Sequence, residues 1–218
     1  MSELEKIIKE NNVEIFIDNT YLYSNKVREI KKIVNSKSFG EINYISSVRS
    51  NLGIIQEDID VIWDLAPHDL SIVTYITGNY PISSKALSNN SLQNMKTQNN
   101  FAYVEFKYKK FNFYLNVNWL APEKIRYMVF SGTNQTLVYD DNKKINGLRL
   151  YNQSIERDGK SFIYNLDKGK LVNYKFNEPL YDEINQISNY VLNNSLKPVS
   201  TLQNSIKNII ALSTLERM

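Results

Sequence analysis

The chain has 218 residues, a formal charge of +3, 42% hydrophobic and 22% charged residues, a balance ordinary for one globular core with a small appendage. With no cysteine and one histidine, it excludes disulfides, thiolate metal sites and cysteine nucleophiles, and leaves too few ligands for a zinc or iron centre. No apolar run approaches the roughly 20 residues that span a bilayer, the opening Met-Ser-Glu-Leu-Glu-Lys lacks a signal-peptide core, and only Lys107, Lys109 and Lys110 cluster, so neither membrane nor nucleic acid is expected as a partner and the cytoplasm is the expected compartment.

Ser2-Glu3-Leu4-Glu5 has a capping-box pattern and predicts a first helix carrying Leu4, Ile7 and Ile8, broken at Asn11-Asn12. Val13 to Ile17 then predicts a short buried strand. With no earlier strand to pair with, this opening reads as the last piece of a parallel α/β unit whose beginning is absent. A helix is expected from Asn25 to Ser36, with Val27, Ile30, Ile33 and Val34 on one face and Gly40 ending it. Residues 42–49 read as a strand. Pro67 predicts the first turn of a helix running through Leu70, Val73 and Ile76 to Gly78. That reading puts His68 at a helix N-terminus, where the dipole favours a neutral imidazole.

Strands are expected at 101–106, 112–119, 125–130, 136–139, 148–151 and 171–176. The second alternates strictly, with Phe113, Leu115, Val117 and Trp119 on one face and Asn112, Tyr114, Asn116 and Asn118 on the other. Lys107 to Lys110 reads as a hairpin turn, and the polar stretch Ser88 to Asn100 as a mobile loop. Two helices close the chain. Leu180, Ile184, Ile187 and Val191 mark the first; the second starts after Pro198 at Ser200, with Gln203 in capping-box position. The fold class expected is α+β: one large, mainly antiparallel open sheet with helices packed on one face, preceded by the αβ remnant.

The residue types that carry chemistry are few. His68 is the one side chain suited to moving a proton near neutral pH, and Asp64 stands four positions before it. A helix cap with a buried structural histidine reads the same residues. Arg49 can grip a phosphate or carboxylate bidentately, or form a salt bridge on the sheet. Trp119 reads as packing at the end of an apolar strand face. Lys124 and Arg126 read as ion-pair partners on the sheet, and Asp140-Asp141-Asn142 as a turn rather than a metal motif.

Several stretches together resemble the Gfo/Idh/MocA family of oxidoreductases: Tyr21-Leu22-Tyr23, Ser36-Lys37-Ser38-Phe39-Gly40-Glu41-Ile42, Arg49, Trp63-Asp64-Leu65-Ala66-Pro67-His68-Asp69, Trp119-Leu120-Ala121-Pro122-Glu123-Lys124-Ile125-Arg126 and Leu196-Lys197-Pro198-Val199-Ser200. The similarity covers nearly the whole chain but only the rear two-thirds of a family member, nearest the branch acting on sugars and nucleotide sugars. It implies a sheet of about six strands or more on one α/β template. It also implies hydride transfer between a nicotinamide, NAD or NADP, and a hydroxyl-bearing sugar carbon flanked by a lysine, an aspartate and a histidine. Asp64 and His68 match the last two, one helical turn apart on a shared face. His68 would accept the hydroxyl proton; Asp64 would orient the sugar or fix the imidazole tautomer. Arg49, Tyr23 and Asn51 are candidates to line the substrate site, with structural packing or turn formation as the alternative reading of Tyr23 and Asn51.

Two departures qualify this. The seven glycines, at 40, 53, 78, 132, 147, 159 and 169, never form the Gly-x-Gly that lets a backbone approach a pyrophosphate. The Glu-Lys-Pro that carries the family lysine is missing too. Residues 1–20 are therefore expected to be a remnant of a nucleotide-binding domain and residues 21–218 the family's C-terminal α/β domain. The chain alone is expected to bind neither cofactor nor metal and to be inactive. Its expected partners are a separate nucleotide-binding half, a sugar or nucleotide sugar, and further copies of itself through the sheet. The alternative is a non-catalytic sugar-binding or oligomerisation module.

Overall fold

The computed structural model describes residues 2–92, 98–193 and 196–217. Helix α1 (Ser2–Asn11) leads through an irregular strap to a single 3-10 turn at Thr20–Tyr23 and helix α2 (Asn25–Val34). Strand β1 (Ile42–Ser50) follows, then the long helix α3 (Val61–Thr77). Strands β2 (Ser83–Asn89), β3 (Phe101–Lys107), β4 (Asn112–Asn118), β5 (Ile125–Gly132), β6 (Gln135–Asp140), β7 (Leu148–Asp158), β8 (Ser161–Leu166) and β9 (Lys170–Leu171) come next. Helices α4 (Pro179–Asn193) and α5 (Leu202–Ser213) and the short strand β10 (Glu216–Arg217) end the chain.

One sheet takes the strands in the order β10-β2-β3-β4-β1-β5-β6-β7-β8, with β9 beside β7. The β1–β4 and β10–β2 pairs are parallel and the others antiparallel. This is the mainly antiparallel open sheet of an α+β fold, as expected. Strict alternation places Phe113, Leu115 and Val117 inward, beside Ile45 of β1 and Phe106 of β3. Helix α3 lies against β1, β3 and β4, flanked by α2 and α5, so one face of the sheet is covered. The opposite face leaves Tyr44, Leu87, Tyr103, Tyr114 and Tyr127 exposed.

Several expectations are corrected. Residues 13–17 form no strand; Phe16 makes one isolated bridge to Thr201, and Val13 is exposed, because no strand lies alongside to complete a ladder. Helix α3 begins at Val61, not at Pro67: the Asp60 carboxylate caps it, accepting from the amides of Ile62 at 3.1 Å and Trp63 at 3.0 Å. Pro67 sits inside the helix and simply lacks one N–H. Gly78 does end it, at φ 67°. Strands β2 and β8 were not expected, β7 is longer than 148–151, and of 171–176 only the first residue joins a strand, in β9.

The turn at Lys109-Lys110 is present between β3 and β4. Of the polar stretch 88–100, Ser88 and Asn89 belong to β2 and Asn100 is fully buried, while residues 93–97 lie outside the described residues. Helix α5 is capped by Thr201, which accepts from the Asn204 amide, rather than by Ser200, whose hydroxyl is buried against Tyr23. Leu180, Ile184 and Val191 of α4 face outward, and Glu183 is the buried residue of that helix. Among the described residues no helix is long and apolar enough to cross a membrane.

Candidate functional site

The site is built where β1, α3 and the 3-10 turn meet. Arg49 and Ser47 face the helix layer from β1, and Asp69 reaches them from α3. The Asp69 carboxylate accepts from Ser47 Oγ at 2.6 Å, Arg49 Nε at 2.9 Å and Arg49 Nη2 at 2.5 Å. Arg49 Nη1 donates to Tyr21 Oη at 3.0 Å, and its guanidinium lies 4.7 Å from the Tyr21 ring centroid. Tyr21 in turn meets the His68 imidazole edge-on, with ring centroids 5.4 Å apart. A buried ion pair thus supports a tyrosine, and the tyrosine supports the histidine.

His68 is half-buried, and among the described residues neither imidazole nitrogen has a hydrogen-bond partner. Burial holds its pKa below the ordinary imidazole value, with the Arg49 charge next and Arg126 adding to it; Asp69 and Asp64 oppose the shift. The direction of this shift is the one expected from the sequence, but its cause is burial rather than the helix dipole. His68 lies two turns inside α3, too far from its N-terminus for the dipole to matter.

Asp64, one turn before His68, is fixed by Trp119, whose Nε1 donates to Asp64 Oδ2 at 2.8 Å. Trp119 is almost fully buried, as expected of packing, yet its polar edge reaches the site. Asn51 lies on the same side: a Cβ added at Gly53 would stand 2.7 Å from Asn51 Nδ2 and 3.4 Å from Trp119 Cδ1. Asn51, Trp119 and Asp64 are brought together; Tyr23 is not. Tyr23 is fully buried, its hydroxyl 2.7 Å from Ser200 Oγ, and burial pushes its phenol pKa up. It belongs to the core. Arg49 neither lines an open cleft nor lies on the sheet surface, since Asp69 neutralises it in the interior.

Arg126 stands directly opposite Arg49 in the β1–β5 register, with Nη1 3.8 Å from Asp141 Oδ2. Lys124 is exposed and makes no ion pair among the described residues, so the expected ion pairs hold for Arg126 alone. The 140–142 segment turns as expected, the Asn142 amide donating to Asp140 Oδ1 at 3.1 Å. Asp141 does more than turn. It accepts from Lys26 Nζ at 2.9 Å and from Tyr139 Oη at 2.7 Å, and although burial opposes it, Lys26 and these hydrogen bonds hold its carboxyl below the usual range. Among the described residues no group of three acidic or histidine side chains is placed to hold a metal.

Sequence reasoning also missed two carboxylates on the far side of the 3-10 turn. Asp18 accepts from the Thr20 hydroxyl at 2.5 Å and amide at 3.2 Å, and these bonds lower its pKa. Glu183 of α4 accepts from the Asn19 amide at 3.3 Å; burial and then the Asp18 charge raise its pKa. Only the opening of α4 near Asn19, invisible in one-dimensional spacing, brings the two together.

A dinucleotide does not fit this chain. The glycines with positive φ are Gly40, Gly78, Gly159 and Gly169, and none stands between a strand and a following helix. At the β1–α3 junction the first helical amides are taken by the Asp60 carboxylate, which also pairs with Arg217 at 2.6 Å. That N-terminus would repel a pyrophosphate rather than cradle it.

No family model and no curated protein matches the chain. Solved structures do. A protein described as an oxidoreductase from Magnetospirillum magnetotacticum MS-1 shares 19% identity at a TM-score of 0.81, over 99% of this chain and 67% of that one. The UDP-N-acetylglucosamine 3-dehydrogenase of Acidithiobacillus ferrooxidans shares 17% at 0.75, over 98% and 64%. An oxidoreductase from Agrobacterium radiobacter, solved with NAD+, L-tartaric acid and magnesium, shares 12% at 0.68, over 97% and 64%. The chain thus spans about two-thirds or slightly less of their lengths. The resemblance to the Gfo/Idh/MocA oxidoreductases holds at the level of fold, and function must be argued from the site.

Proposed function

We propose that this chain supplies the substrate-binding and proton-transfer part of a sugar or nucleotide-sugar oxidoreductase, with the hydride acceptor held by a nucleotide-binding unit outside these residues. The observation that carries the reading is the His68 imidazole: half-buried, without a hydrogen-bond partner among the described residues, its pKa held below the ordinary value by burial, and braced by Tyr21 over the Arg49–Asp69 pair. A base in that state can accept the proton of a sugar hydroxyl as its carbon gives up hydride and the C=O bond forms. Asp69 and Asp64 on the same helix offset part of the burial and Arg49 charge that disfavour the protonated imidazole. Asp64, tied to Trp119, orients the substrate hydroxyl instead of taking the proton. The nucleotide-sugar dehydrogenase among the structural neighbours supports the substrate class.

Assembly through the open face of the sheet belongs to the same reading. Tyr44, Leu87, Tyr103, Tyr114 and Tyr127 put large, rigid, partly apolar side chains on one uncovered surface, the composition of a self-complementary contact.

The lack of a dinucleotide cradle favours a second reading, a sugar-binding or assembly module without turnover. Combining the chain with a nucleotide-binding unit carrying Gly-x-Gly-x-x-Gly and Glu-Lys-Pro, and assaying nicotinamide reduction over a panel of sugars and UDP-sugars, separates the two. Turnover that needs both parts supports the oxidoreductase; sugar binding without turnover supports the module.

A further inference from the structure

A cleft of about 500 Å³ opens beside Tyr21, walled by Arg126, Asp141, Lys144 and Phe176. Its charge is not balanced from within. Arg126 and Arg49 are register partners on the same face of adjacent strands, an arrangement that repels unless each cation finds an anion. Arg49 has Asp69. Among the described residues Arg126 has only the distant Asp141 Oδ2, at 3.8 Å, while Asp141 Oδ1 is held by Lys26 and Tyr139. Lys26 is itself saturated, giving its three donors to Asp141 Oδ1, the Asp141 carbonyl and the Lys143 carbonyl.

The Arg126 guanidinium is left with unused donors. Nε is buried without a hydrogen-bond partner, and no hydrogen bond to Nη2 occurs among the described residues. With Nε shut off from the cleft, the terminal amino groups of a side chain 28% exposed are what an oxyanion in the cleft can reach. Lys144 adds an exposed ammonium 6.0 Å from the Phe176 ring centroid, with no ion pair among the described residues. Glu178, exposed at the mouth, is the opposing carboxylate besides Asp141. His68 does not line the cleft but is one ring removed from it: Tyr21, which does, has the His68 ring centroid at 5.4 Å and the Arg126 guanidinium carbon at 5.8 Å.

We infer that this cleft binds an oxyanion carried by the substrate, the phosphate or carboxylate of a sugar derivative, with the terminal amino groups of Arg126 as its charged donors and Lys144 as a second charge at the mouth. That the anion belongs to the substrate rests on the reading of His68 as the proton acceptor. Arg126 then takes the anchoring role that composition alone had offered to Arg49.

Calorimetric titration of the full chain with glucose 6-phosphate, glucuronate, glucose and inorganic phosphate tests this, alongside NMR of the single histidine ring. At least one anionic sugar is expected to bind about tenfold or more tighter than glucose; the tighter of the two identifies phosphate or carboxylate. Arg126→Gln is expected to erase that preference, Arg126→Lys to restore part of it, and Lys144→Gln to weaken it less. The His68 ring resonance is expected to shift on anion binding. No preference over glucose, or a preference untouched by Arg126→Gln in a variant that melts normally, overturns the cleft assignment. Inorganic phosphate binding as tightly as glucose 6-phosphate, without movement of the His68 resonance, keeps the oxyanion site and overturns its link to the substrate.

Discussion

The indole of Trp119 donates its one N–H to Asp64 Oδ2 at 2.8 Å, so a residue at the end of the β4 segment fixes the carboxylate that stands one helical turn before His68. The bond divides the labour of the pair. A carboxylate held by a nearly buried indole keeps its geometry, while the imidazole, with no hydrogen-bond partner among the described residues, stays free to take a proton.

Trp119→Phe is expected to cost more than the roughly 1.5–3 kcal/mol of a hydrogen bond to a charged acceptor, because the nearly buried indole loses part of its ring volume together with its donor. Asp64→Asn should cost less, since the amide oxygen can still accept. Urea denaturation with an unchanged slope checks both. A neutral Trp119→Phe would mean that the indole does not hold Asp64.

The Arg49–Asp69 pair is buried on both sides, with side chains 4% and 2% exposed. Asp69→Ala leaves a guanidinium without its counter-ion and is expected to destabilise by about 3–5 kcal/mol, whereas the double replacement Arg49→Met/Asp69→Leu should recover much of that. Denaturation midpoints of the three variants decide it. A double variant as unstable as the single would show that the pair is needed for packing rather than for charge balance.

The pH dependence follows from the depressed pKa of His68, which faces Arg49 and Arg126 as like charges and Asp64 and Asp69 as opposite ones, with the Tyr21 ring against it. The folded chain takes up its proton at lower pH than the unfolded chain, so unfolding binds a proton. Stability from this group is whole above the unfolded imidazole value of about 6.5 and falls as pH drops toward the folded value. Wild type is therefore expected to lose stability relative to His68→Gln between about pH 7 and pH 5. The opposite slope would show an imidazole stabilised in its charged form.

The open sheet face gives the fourth test. Sedimentation at micromolar concentrations is expected to show a dimer or larger assembly, and Tyr103→Glu/Tyr114→Glu to shift it toward monomer by placing charge at the centre of the face. A wild-type chain that stays monomeric across the range contradicts assembly through this surface.

Much of this fold is legible because the alternation in β4 and the apolar spacing of α2 are local signals. The start of α3 was misread because Pro67 is a stronger mark in sequence than Asp60, although the Asp60 carboxylate holds the amides of Ile62 and Trp63 and the Asn99 carbonyl that of Val61. Of the site, His68 and Asp64 show themselves by spacing along one helix. Their supports do not: Trp119 is fifty-five residues from Asp64 and Arg49 twenty from Asp69, and only the sheet register brings Arg126 opposite Arg49. Tyr23 could be read as packing or as a lining residue because burial cannot be read from a single aromatic; the structure buries it, and Tyr21, two positions earlier, is the one that touches His68.

The most direct test of the central claim is the turnover of the chain combined with a nucleotide-binding unit, comparing His68→Ala with Asp64→Asn at matched thermal stability. Loss of the proton acceptor is expected to lower kcat by about 10²–10⁴-fold with little change in KM, and loss of the orienting carboxylate's charge to lower it less. Small and equal losses for both variants, with unchanged melting temperatures, would contradict the assignment of His68 as the residue that takes the substrate proton.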